Sequence, residues 1–166
     1  MPDSTAHLAP AARFGADIPV TLSSSSVFPL GTQDVFATAE DLGYDGVEVM
    51  VTHNAWSQDA RRLTRLSERH GMPIDSIHAP TLLFTQQVWG SAWSKIRRSV
   101  ELAQAVGAAT VVAHPPFRWQ GTYAVRFAEG IHELMAETGV VIAVENMYLY
   151  LIHISEPTRP LYISYA

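Results

Sequence analysis

Four times along this chain a helical stretch stops at a glycine and a short apolar run follows at once. The glycines are Gly43, Gly71, Gly107 and Gly139, and the runs are residues 46–50, 74–78, 109–113 and 140–144. Glycine ends helices because it takes the left-handed conformation without steric cost. The spacing of about 30 residues matches a repeated βα unit. Strands joined through helices run parallel, so all their C-terminal ends point to one side. The residues at those ends are polar: Glu48 in the first of these runs, then His78, His114 and Glu145. Side chains at C-terminal strand ends gather at a single mouth, where α/β sheets and barrels place their sites.

The remaining elements follow from period and punctuation. Residues 18–22 form an apolar run and a first strand, with the polar loop 23–26 after it. Thr32 is placed to cap a helix over 33–42, with Phe36, Ala39 and Leu42 at helical spacing. A second helix starts at Ser57 or Gln58 and runs to His70, and Pro73 forbids its continuation. A third opens at Ser91 or Trp93 and runs to Val106, with Ile96, Val100 and Ala103 on its inner face. A fourth starts at Thr122 and carries Phe127, Ile131 and Leu134. The run 109–113 is nearly all apolar, as in a strand buried on both faces. The result is four complete βα units and a fifth strand, which right-handed crossovers lay side by side in chain order. No Gly-x-Gly-x-x-Gly follows the first strand, so nothing suggests a dinucleotide fold.

Composition narrows the function classes. The chain is 48% hydrophobic and 16% charged, which fits a globular domain and not a disordered one. Its formal net charge is −5 and Lys95 is its only lysine. Such a chain is a poor fit to nucleic acid or to an anionic membrane, because phosphate neutralisation needs clustered cations. Arg61, Arg62 and Arg65, and Arg97 with Arg98, lie on helices and read as solvated faces. With no cysteine, disulfides, thiolate catalysis and Cys-based zinc sites are excluded. Residues 1–17, rich in Ala and Pro, read as a flexible leader with no secretory pattern. No apolar stretch approaches the roughly 20 residues a membrane helix needs. The cytoplasm is the expected compartment.

A metal held by this chain must use His, carboxylates and water. His78, His114 and Glu145 stand at equivalent places of the repeat, and two imidazoles with a carboxylate suit Zn, Mn or Fe. Pro80, Pro115 and Pro116 fix the backbone just after each histidine. His70 reads as a helix C-terminal residue, and His53 and His132 as surface.

The motifs Gly43-Tyr44-Asp45-Gly46-Val47-Glu48-Val49, Ser76-Ile77-His78-Ala79-Pro80, Thr110-Val111-Val112-Ala113-His114-Pro115-Pro116 and Val144-Glu145-Asn146-Met147 resemble the sugar phosphate isomerase/epimerase family. This is the xylose-isomerase-like TIM-barrel superfamily, which also holds the endonuclease IV type of DNA-repair enzyme. The resemblance covers residues 18–148. It implies the fold class α/β, as the N-terminal five βα-unit portion of an incomplete (β/α)8 barrel, since a full barrel needs about 250 residues. It implies a divalent metal, one of Mn, Zn, Co or Mg, with Glu145, His114 and His78 as ligands. Glu145 is also the catalytic base that the resemblance implies. Glu48, Asn146 and Trp119 are the implied substrate-binding residues, and Phe117 with Trp119 would wall a sugar pocket. The activity implied is metal-dependent isomerisation or epimerisation of a sugar or sugar phosphate by proton transfer next to a carbonyl. The family's second acid comes from the eighth strand, and strands six to eight are absent, so this chain alone is expected to be inactive.

Residues 149–166 do not continue the repeat. The run 151–159 resembles the translation of a transposon-derived sequencing adapter, which makes 149–166 a non-native tail and leaves His153 and Glu156 without function. Two other functions fit the same residues. One is a zinc-dependent apurinic endonuclease, opposed by the negative charge. The other is a non-catalytic half barrel that binds a partner or forms homo-oligomers through its open edges.

Overall fold

The computed structural model describes residues 18–80, 85, 87–117 and 121–145. Five parallel strands form one sheet: β1 (Thr21–Ser23), β2 (Gly46–Met50), β3 (Ile74–His78), β4 (Thr110–Ala113) and β5 (Val141–Val144). Their spatial order is their chain order. Four helices join them: α1 (Thr32–Leu42), α2 (Ala60–His70), α3 (Ala92–Val106) and α4 (Gly121–Thr138). A short 3-10 turn, Ala55–Gln58, precedes α2. The sheet is not closed: among the described residues β1 and β5 each pair with one strand only. This is the partial α/β barrel that the repeat implies.

Each strand sorts its side chains by the period-two rule. Val47, Val49, Ile77, Val111 and Ile142 are buried in one cluster with Val35, Phe36, Leu63, Ile96, Val100, Ile131 and Leu134 from the four helices. The core therefore lies between the sheet and its helices. Glu48, Ser76 and His78 alternate with those core residues, so they face the inside of the curve. Parallel register places Ser23 beside Glu48 and Glu48 beside Ser76, which makes one polar row across three strands. The expectation that the 109–113 run is buried on both faces fails on one side. Val111 and Ala113 are buried, while Thr110 and Val112 are half-buried, because their face looks into the open concavity.

The helix boundaries show which local signals won. Gly31, not Thr32, caps α1, and the Asp34 carboxylate accepts from the Gly31 N–H at 2.7 Å. Asp59 caps α2 by accepting from Arg62 N, so the helix starts later than Ser57 or Gln58. Ser91 caps α3. Gly43, Gly71 and Gly107 end their helices with φ of 75°, 62° and 76°. The first strand begins at Thr21, not at residue 18. Val20 trades both its backbone groups with Asp45, accepting from Asp45 N and donating to Asp45 Oδ2, each at 2.9 Å. Pro19 has no N–H to give a ladder.

Two connections above the C-terminal strand ends are tied together. Trp89 has a positive φ of 62°, unusual for a bulky residue. Its indole N–H donates to Gln58 Oε1 at 2.9 Å, and Arg98 lies over its ring at 5.3 Å. These contacts hold the loop after β3 against the loop after β2. Among the described residues, no helix is long and apolar enough to cross a membrane.

Candidate metal centre

Three adjacent strands bring three donor side chains to one point. His78 ends β3, His114 follows β4 by one residue and Glu145 follows β5 by one residue. Their ligand-type atoms all lie within 4.8 Å of one another. Glu145 Oε2 sits 3.1 Å from His78 Nε2 and 3.0 Å from His114 Nε2. The two rings meet edge to face at 5.1 Å. Both histidines are buried, while the Glu145 side chain is 49% exposed at the mouth. The backbone continues the sheet's bonding past the strands: Ala79 N donates to Val112 O and Glu145 N donates to Ala113 O. The ligands thus stand on strand ends, not on free loops. Pro80, Pro115 and Pro116 are buried directly behind them.

The proton inventory fits a cation. His78 Nδ1 lies 3.0 Å from the Ala79 carbonyl oxygen, which only accepts, so the ring hydrogen is on Nδ1. The other ring nitrogen, Nε2, faces the Glu145 carboxylate. Burial pushes the His114 imidazole below its usual range; the neighbouring His78 adds to this and Glu145 opposes it. Burial thus favours the neutral, metal-binding form of His114. Two imidazole nitrogens and a carboxylate oxygen converge on one point, the donor set of a Zn, Mn, Fe or Co site. The Ala79 carbonyl supplies the outer hydrogen bond that orients such a ligand. The residues fit a divalent metal.

These donors line a cavity of about 290 Å³ together with Ser23, Ser25, Glu48 and Met50. Glu48 accepts from Ser23 Oγ at 2.9 Å through Oε1 and from Ser76 Oγ at 3.1 Å through Oε2. Its carboxylate is held by hydroxyls from the strands on both sides. A larger surface cleft of about 540 Å³ lies against α2, beside Trp56, Arg65 and Arg69, and includes none of the three donors. The chemistry belongs to the smaller cavity.

The structure thus brings together Glu48, His78, His114 and Glu145. Asn146 and Trp119 lie outside the described residues, as do the leader and the tail. Phe117 is half-buried and is not part of the cavity lining. His53 and His132 are exposed, as expected of surface residues, and His70 pairs with Glu40 at 2.8 Å. Sequence reasoning passed over Ser23, Ser25 and Ser76. The available signal was position: Ser76 stands two residues before His78 on the same strand face. Lys95 was also missed as a structural residue. It is buried and its ammonium donates to Thr85 O at 3.2 Å, where burial lowers its pKa.

Comparison with known proteins agrees with this architecture. An uncharacterized protein of Mycobacterium leprae (strain TN) is 50% identical over 132 residues, which are 79% of this chain and 47% of that protein. An uncharacterized protein of Mycobacterium tuberculosis (strain ATCC 25618 / H37Rv) is 48% identical over the same shares of both chains. The chain therefore spans about half the length of these curated relatives. The crystal structure of an AP endonuclease, family 2, from Brucella melitensis superposes with a TM-score of 0.61 at 18% identity. It covers 81% of this chain and 59% of its own. The family model for the xylose isomerase-like TIM barrel matches residues 36–157. Helix, strand and mouth are those of that family, and the chain belongs to the xylose isomerase-like TIM barrels.

Proposed function

We propose that this chain carries the metal-binding half of a divalent-metal-dependent sugar isomerase or epimerase. One observation carries the reading: His78, His114 and Glu145 converge within 4.8 Å at the C-terminal mouth of a parallel α/β sheet. When bound, a divalent cation polarises a substrate carbonyl and stabilises the charge that develops on its oxygen. The protein's own groups supply the rest. Glu145 Oε2 is engaged by both imidazoles, and its side chain is half exposed to the mouth. Its other oxygen, Oε1, has no hydrogen-bond partner among the described residues and would take the proton from the carbon beside the carbonyl and return it to the neighbouring carbon on the same face. His78 and His114 would hold the cation beside that carboxylate, and Glu48 anchors substrate hydroxyls.

The test is a Co²⁺ titration followed by visible absorption, with His114→Ala beside the native chain. The expected result is a saturable band in the native chain. In the variant, Co²⁺ affinity should fall by more than about 100-fold, since losing even an outer-sphere partner costs about 10- to 100-fold. A native chain with no saturable band would overturn the reading. The reaction itself is tested on the longer mycobacterial relatives, by aldose–ketose interconversion with Mn²⁺ or Co²⁺.

A second reading, a zinc-dependent apurinic endonuclease, draws on the named activity of the Brucella protein and on the same donors, which suit zinc. The formal charge of −5 opposes it. Incision of abasic duplex DNA, measured beside the sugar assay, decides between them.

A further inference from the structure

Two helices of the outer layer carry opposite charges at the same spacing. On α2, Arg61, Arg65 and Arg69 follow one another four positions apart, and all three are exposed. On α4, Glu129, Glu133 and Glu137 do the same. Four residues rise about 6 Å along a helix, so each set is a stripe down one side of its helix. α2 holds four arginines and one glutamate, and α4 three glutamates and one arginine. Among the described residues none of the six striped side chains has an ion-pair partner. Arg62, by contrast, is used: it reaches Asp59 at 3.4 Å and lies over the Trp56 ring at 5.1 Å.

The two faces also match in form. The surface cleft of about 540 Å³ along α2 is lined by Trp56, Arg65, Leu66, Glu68 and Arg69. The α4 stripe is extended by Val125, four positions before Glu129 and 62% exposed. α3 lies between α2 and α4 in the order of the sheet, so the stripes do not meet within one chain. We propose that the α2 cleft of one copy of this chain receives the α4 stripe of a second copy. With the two helices running the same way, Arg69 meets Glu137, each one residue before its helix ends. Val125 then reaches the Trp56 end of the cleft. Glu68 in the cleft and Arg126 on α4 carry the opposing signs, and each is outnumbered. Exposed ion pairs are individually weak and screened by salt, so the contact is transient, and its charges set partner and register more than strength. This surface is separate from the metal centre and from the open sheet edges, and it does not rest on the proposed reaction.

The experiment is sedimentation velocity on the full 166-residue chain across a concentration series, at about 0.01 M and about 1 M salt, where screening lengths are about 30 Å and about 3 Å. The open edges associate through apolar contact, which salt does not screen, so the salt-sensitive part of the association reads this surface alone. The expected result is such a part at low salt, weakened at least about tenfold at high salt. Arg65→Glu with Arg69→Glu should weaken it at least about tenfold at low salt, and so should Glu133→Arg with Glu137→Arg, since each pair of changes turns two attractions into repulsions. The decisive arm mixes the two variants in equal amounts. Each then offers the other a complementary face, and association should return to within about threefold of native. If either variant melts early, the single changes Arg65→Glu and Glu133→Arg repeat the cross. A mixture no tighter than its separate components overturns the proposal, as does association unmoved by salt. A native chain that shows no low-salt association but binds an oligoglutamate peptide assigns the cleft to another acidic partner, and likewise overturns it.

Discussion

Asp75 on β3 has its Oδ2 buried and without a hydrogen-bond partner. Burial raises its pKa above the ordinary 3.8, and the nearby Asp45 raises it further. The folded state therefore holds this proton more tightly than the unfolded chain. Stability from this residue is fully present below 3.8 and declines as pH rises through the raised folded value. Asp75→Asn should melt at a higher temperature than the native chain at about pH 7, with the gap closing below about pH 4. Thermal melts at both pH values check this; an equal gap at both would mean the charge is not the cause. The same scale shows what was legible in the sequence. His78, His114 and Glu145 could be found because their identity and their strand-end position both point to metal chemistry. Ser23 and Ser25 could not, because serine is common in loops and its role here comes from register with Glu48 on another strand. Asp75 was also invisible, since a strand acid reveals its face only when the pairing is known.

The elements were the most legible level, because each helix has a glycine stop and an apolar face. Their starts were less so, since caps compete locally: Gly31 with Asp34 displaced Thr32, and Asp59 displaced Ser57. Packing between helices was not readable. Gly130 in the middle of α4 has no role that sequence explains, and glycine there costs helix stability, about 1 kcal/mol against alanine. Its reason is contact: a Cβ at Gly130 would come within 2.6 Å of the Trp93 ring on α3. Gly130→Ala should therefore destabilise, by about 1–3 kcal/mol as for other overpacked sites, despite the better helix propensity of alanine. Urea unfolding measures this, and Trp93→Leu in the same background should recover part of the loss. A stabilised single variant would show that the ring moves aside freely.

At the scale of the molecule, the core lies between sheet and helices, and among the described residues the sheet has two open edges. Val141 on the β5 edge is 50% exposed, and Val20 and Ile18 beside β1 are 51% and 79% exposed. Unpaired parallel edges with apolar flanks drive association. Sedimentation velocity across a concentration series should show the chain self-associating, and a monodisperse monomer at all concentrations would contradict this. Openness of the sheet was legible from the count of repeats, whereas the half-exposed inner face of β4 was not, because an apolar run reads the same whether or not a partner covers it. The donor side chains, however, do not wait for closure. They sit on three consecutive strands, and His78 and Glu145 are only 67 positions apart. A recombination event that carried this one uninterrupted stretch of gene into another barrel would carry these three donors together, while Ser23, Ser25 and Glu48, encoded upstream, could be exchanged separately.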